Sequence, residues 1–186
     1  MRTENGVIFD PSGRSFEGTH VINIIKKLQK KYAVVFMGEF GIDFQNHGCK
    51  EPVASPQNVP IRAWAGIIAN ADYFLGCDSV GQHLAYSLDI PTTVVTGSTF
   101  GINVTYPDYE RFDVLDMGGT IRQYSPIRIT MDEVADRGND GIMQMNEKIE
   151  DAIVDSVIKN VAKFPRQPKE DPGVSITSAP TVSCEK

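Results

Sequence analysis

Short apolar runs alternating with segments of helical periodicity constrain this chain more than any other feature. Tyr32-Ala-Val-Val-Phe-Met37 is continuously apolar, as in parallel strands covered on both faces. Gly6-Val-Ile-Phe-Asp10 precedes it. Between the two, Val21, Ile24, Ile25 and Leu28 recur at three- and four-residue spacing with lysines on the other side. Together these segments predict a βαβ unit, hence a parallel strand pair with a right-handed crossover.

The alternation continues. Ile61 to Ala69 predicts a helix with Ile61, Trp64, Ile67 and Ile68 on one face, followed by a strand at Tyr73-Phe-Leu-Gly76. Val80 to Leu88 predicts a helix with an apolar stripe of Leu84, Ala85 and Leu88, and Thr92 to Thr96 a fourth strand. Arg111 to Asp116 is a candidate fifth strand. Asn146 to Phe164 predicts a long helix, with Ile149, Ile153, Val157 and Val161 one turn apart, acids early and lysines late. Residues 41–60 are polar and punctuated by Asn46, Gly48, Pro52, Pro56 and Pro60, and residues 117–145 carry no assignable pattern. The pattern implies one α/β domain over residues 1–164, Rossmann-like and doubly wound on a mostly parallel sheet. Residues 165–186, polar and without periodicity, are expected to be a disordered tail.

Composition excludes several functions. A net charge of −6 disfavours a nucleic-acid surface, because phosphate backbones bind lysine and arginine. No apolar run approaches the roughly 20 residues of a membrane span, and Met-Arg-Thr-Glu-Asn-Gly at the N-terminus is no signal peptide. Cys49, Cys77 and Cys184 are an odd number without metal-ligand spacing. They read as free thiols in a reducing compartment, so cytoplasmic residence is the expectation. Cys77 reads as a small buried residue ending a strand, with a reactive thiol beside Asp78 as the alternative.

The polar residues with chemical reach fall at strand ends, where open α/β sheets bind ligands. In Asp78-Ser79-Val80-Gly81-Gln82-His83, Ser79 and Gln82 have the spacing of a capping box. Asp78 is suited either to accept from a sugar or ribose hydroxyl or to cap the helix. His83, one turn from Ser79 on the more polar face, fits either a ligand contact or simple packing. The free amides of a helix start suit a phosphate. Thr96-Gly97-Ser98-Thr99 reads as an anion-binding small-residue loop or as an ordinary tight turn. In Asp10-Pro-Ser12-Gly13-Arg14, Arg14 is able to neutralise phosphate, the alternative being a solvated turn. Glu39 ends the second strand, where acids take ribose hydroxyls, or is a surface charge. No residue stands out as a catalytic base.

Neither G-x-G-x-x-G after the first strand nor G-x-x-x-x-G-K-[ST] occurs, which disfavours dinucleotide oxidoreductases and P-loop enzymes. C-x-x-C, H-E-x-x-H and a D-x-D pair are also missing, so a site that needs no metal is expected.

These residues resemble the C-terminal, nucleotide-sugar-binding half of glycosyltransferase family 9, the heptosyltransferase-like enzymes of GT-B fold. The resemblance is carried by Ala71-Asp72-Tyr-Phe-Leu-Gly-Cys-Asp78-Ser79, His83-Leu84-Ala85, Ile90-Pro91 and Gly97-Ser98-Thr99. Gly6 to Arg14 looks like the family's first strand and phosphate loop, and Met37-Gly38-Glu39 like its second strand end. Tyr124-Ser-Pro-Ile127 and the last helix resemble its C-terminal stretch. The chain departs from the pattern where Val80 stands in place of a glycine, with Gly81 one residue later, and where Ser98 replaces a proline. The lysine and tryptophan usual after the first loop are missing, with Arg14 as the substitute.

The resemblance implies a GT-B half-domain that binds a nucleoside-diphosphate sugar through Asp78, Ser79, His83, Gly97, Ser98, Thr99, Ser12, Gly13, Arg14 and Glu39. GT-B enzymes carry the acceptor site and usually the base on a separate N-terminal domain, for which this chain has no room. A protein partner supplying that domain, or a homo-oligomer, is therefore expected, as in a split or multi-subunit glycosyltransferase. The alternative is a non-catalytic binding or structural subunit of a larger assembly, derived from the same fold.

Overall fold

The computed structural model describes residues 6–11, 18–38, 42–97, 100–117 and 147–165. Strands β1 (Gly6–Asp10), β2 (Ala33–Phe36), β3 (Tyr73–Cys77), β4 (Thr92–Thr96) and β5 (Phe112–Asp116) form one sheet in the order β2-β1-β3-β4-β5. Every pairing is parallel. The helices are α1 (Gly18–Leu28), α2 (Ile61–Ala69), α3 (Val80–Ser87), α4 (Gly101–Val104) and α5 (Glu147–Lys163). The expected βαβ unit, the later strands and the long last helix all form. The one-turn α4 was not expected, since four residues are too few to show a period. The Tyr124–Ile127 segment and residues 166–186 lie outside the described residues, as does Cys184.

Alternate strand residues face opposite layers. Val7, Phe9, Tyr73, Leu75 and Val95 pack under α1 and α5, while Ile8, Phe74 and Val94 pack with Ile68 of α2 and Ala85 of α3. The stripe Val21, Ile24, Ile25 and Leu28 of α1 is buried as its spacing predicts, and so are Ile153, Val157 and Val161 of α5. Two stripes differ from expectation. Ile61, at the first position of α2, is 52% exposed, and Ile68 is the buried residue of that helix. The buried face of α3 is Gly81, Gln82 and Ala85, and Leu88 is exposed.

Polar groups between the layers are joined in networks. Tyr73 Oη lies 2.8 Å from Thr93 Oγ1, which lies 2.7 Å from Ser156 Oγ. Ser156 Oγ and Asn160 Nδ2 donate to Asp113 Oδ2 at 2.6 and 3.1 Å. Burial pushes the Tyr73 phenol well up, so it stays neutral and serves this chain as a hydroxyl.

Glu150, only 3% exposed, ties α5 to α1. It pairs with His20 Nδ1 at 2.7 Å and accepts from Asn23 Nδ2 at 3.0 Å and Lys27 Nζ at 2.9 Å. Burial pushes its carboxyl up, but the bonds from His20, Asn23 and Lys27 outweigh burial and hold it below the ordinary 4.5. A carboxylate depressed in the folded state stabilises fully above its unfolded value, and the contribution is lost as pH falls through the folded one. Urea midpoints followed downward from pH 6 should therefore fall more steeply below about pH 4.5 in the wild type than in Glu150→Gln. Parallel profiles would show that this carboxylate does not drive the acid response.

Candidate functional site

Strand order reverses between β1 and β3, since β2 lies on one side of β1 and β3, β4 and β5 on the other. A crevice opens outside the carboxyl ends of strands at such a point. β1 ends at Asp10, fully buried and in register with Gly76. β3 ends at Cys77, a buried thiol 3.8 Å from the Asp10 carbonyl, and the chain turns through Asp78 into α3.

Ser79 is the N-cap of α3, with extended backbone angles of φ −148 and ψ 170. Its hydroxyl donates to Asp10 Oδ2 at 2.9 Å and accepts from the Gly81 N–H at 3.3 Å. One hydroxyl thus joins the end of β1 to the start of α3, across the reversal. This contact requires Gly81. A Cβ at that position would lie 2.5 Å from Asp10 Oδ2 and 2.7 Å from Phe74 Cζ. The glycine anticipated directly after Asp-Ser is needed one residue later, and Val80 turns outward, 47% exposed.

The expected capping box forms only in part. Ser79 caps, but Gln82 does not reach back to the Ser79 amide. Its Nε2 donates instead to the Val104 carbonyl at 2.9 Å and to Asp78 Oδ1 at 3.3 Å.

A cavity of about 480 Å³ opens beside this turn. It is lined by Asp78, Ser79 and Val80, by Met37 and Gly38 beyond β2, and by Pro56 to Val59 with Trp64. The irregular segment reaches this place because it runs along β2: the Phe36 N–H donates to the Ala54 carbonyl at 2.8 Å, and Val35 bridges Ala54. Asn58 adopts a left-handed conformation, φ 53, one that asparagine tolerates better than most residues. The indole N–H of Trp64 is buried and has no partner among the described residues.

Of the residues singled out from the sequence, Asp78 and Ser79 meet at this cavity. Gly97 is buried at the carboxyl end of β4 and is not among the lining residues. His83 is exposed on α3 and stands apart from the cavity. Its Nδ1 lies 2.8 Å from Tyr106 Oη, with the rings edge-on, and Tyr106 in turn stacks on Tyr86 at 3.7 Å. Ser12, Gly13, Arg14, Glu39, Ser98 and Thr99 lie outside the described residues. Sequence reading missed Asp10 as a site residue and the wall formed by Pro56 to Val59. An asparagine, Asn58, between Pro56 and Pro60 was the available signal for a turn there.

No protein-family model matches the chain, and no curated protein matches it by sequence. Solved structures do match. The glycosyltransferase family 9 protein from Veillonella parvula aligns with a TM-score of 0.63 at 13% identity, over 86% of this chain and 46% of that one. The dodecameric iron-containing heptosyltransferase TibC of E. coli, solved with ADP-D-β-D-heptose, aligns at 0.54 and 13% identity, over 89% and 49%. E. coli heptosyltransferase WaaC, solved with ADP, aligns at 0.54 and 14% identity, over 84% and 44%. The chain spans under half the length of each of these structures. Its five parallel strands and flanking helices thus have an α/β, Rossmann-like fold, similar to that of one part of these glycosyltransferase family 9 and heptosyltransferase structures.

Proposed function

We propose that this chain is the nucleotide-sugar-binding half of a glycosyltransferase-type protein, taking a nucleoside-diphosphate sugar in the cavity beside Asp78 and Ser79. The observation that carries the reading is the position of that cavity. It opens at the reversal of strand order and is lined both by the polar Asp78 and Ser79 and by the apolar Trp64 and Val59. A sugar or ribose hydroxyl donates to Asp78, and the first-turn amides of α3 face the negative charge of the diphosphate. In transfer, the bond between the sugar carbon and the diphosphate oxygen breaks, and its electron pair leaves with the diphosphate. The acceptor oxygen bonds to that carbon and gives its proton to a base. Stabilising the departing charge is the contribution asked of this half; the base and acceptor site belong to a partner protein or a second copy.

Two further features support the reading. Ile61, Val80 and Ile102 are exposed apolar side chains at the starts of α2, α3 and α4, all at the carboxyl edge that a second body would cover. Cys49 and Cys77 form no disulfide among the described residues, in keeping with a cytoplasmic setting. Among the described residues no helix is long and apolar enough to cross a membrane.

Trp64 is the only tryptophan of the chain, so its fluorescence reports on the cavity. Titration with ADP, UDP and GDP should give a saturable change with one of them, unaltered by magnesium and matched by calorimetric heat. Failure of all three to produce heat or a fluorescence change at millimolar concentration would overturn the reading. A stable complex with another protein in that case would favour the non-catalytic subunit.

A further inference from the structure

We propose that Gln82 is a positioning residue that holds the Asp78 carboxylate from inside the protein; the proposal rests on the role given to Asp78 above. Gln82 is fully buried, which is unusual for a glutamine. One side-chain nitrogen serves two acceptors, the Val104 carbonyl of α4 at 2.9 Å and Asp78 Oδ1 at 3.3 Å. Its Oε1 is buried and has no hydrogen-bond partner among the described residues.

An unpaired buried acceptor destabilises the fold. A leucine or methionine would fill the same space without that penalty, so packing does not explain an amide at this position. The two donated bonds do. The amide plane is pinned by α4, and its remaining N–H is directed at the carboxylate of Asp78, in the turn that leads into α3. Asp78 itself is exposed at the cavity, and Gln82 holds its Oδ1 from the protein side. Gln82 therefore links three parts of the carboxyl edge: the turn after β3, the start of α3 and α4. A ligand hydroxyl then meets a carboxylate already oriented, which spares the entropy of ordering it on binding.

The test is a cycle of Gln82→Met, Asp78→Ala and the double variant, read as the dissociation constant of whichever of ADP, UDP and GDP the wild type binds best. Gln82→Met should weaken binding about ten-fold when Asp78 is present, the equivalent of one hydrogen bond to a charged group. In the Asp78→Ala background it should change binding by less than about two-fold. An equal loss in both backgrounds would mean that Gln82 only supports the fold, and would overturn the proposal. A second measurement needs neither ligand nor a foldable Gln82 variant. The side-chain amide resonance of Gln82 in 15N-labelled protein should be slow to exchange and should move in Asp78→Ala. An unmoved resonance overturns the proposal even if the ligand binds. A moved resonance with no nucleoside diphosphate bound would sustain the contact while the ligand reading fails.

Discussion

Gly81→Val is expected to lower the unfolding free energy by about 3 kcal/mol, the upper part of the range for forcing atoms into a filled core. The first added carbon already conflicts with the structure, at 2.5 Å from Asp10 Oδ2 and 2.7 Å from Phe74 Cζ. Neither neighbour moves cheaply, since Asp10 and Phe74 are fully buried and Asp10 is bonded to Ser79. Helix propensity works in the opposite direction, favouring alanine over glycine by about 1 kcal/mol in a helix interior. The sign of a glycine-to-alanine change therefore separates the two effects. Gly66 of α2 provides the comparison, because a Cβ there meets nothing within 4 Å. In urea denaturation Gly66→Ala should stabilise by about 0.5–1 kcal/mol, whereas Gly81→Ala should destabilise. A midpoint raised by both would show that α3 is not pressed against β1 as described.

Phe74→Ala should cost about 4 kcal/mol, within the range for removing a buried aromatic ring and leaving its cavity. The ring is fully buried on the face covered by α2 and α3, beside Ile68, Ala85 and Val94. It also occupies the space over two glycines: a Cβ at Gly76 would come 2.5 Å from its Cε1. Removing the ring relieves part of the clash at position 81, so Phe74→Ala and Gly81→Ala together should lose less than the sum of the two, by about 1 kcal/mol. Strict additivity in that cycle would assign the conflict at Gly81 to Asp10 alone.

Much of the fold was legible before the structure. The apolar runs predicted all the strands of the sheet, and the stripe on α1 appears as its spacing requires. The site was legible in half. Asp78 and Ser79 were found because a strand end, an N-cap and a helix start leave local marks in the sequence. Asp10 was passed over because its neighbours, Pro11 to Arg14, read as an exposed turn. Its burial follows from β3 and α3 packing beside it, elements more than sixty residues away in the chain. Gln82 was read as a cap for the same reason: it stands at the proper spacing from Ser79, but Asp78 and the Val104 carbonyl, the latter 22 residues away in the chain, draw it elsewhere.

Periodicity and capping are properties of neighbouring residues, so the chain alone determined where strands and helices form and that its sheet is parallel. Tertiary structure decided what depends on elements distant in sequence. It set the strand order that opens a crevice between β1 and β3, and it bent residues 42–60 along β2 to form the cavity wall. It also brought Gly81 against Asp10. The physical reason is excluded volume: whether a glycine, a carboxylate or an amide is tolerated depends on which atoms arrive from the other end of the fold.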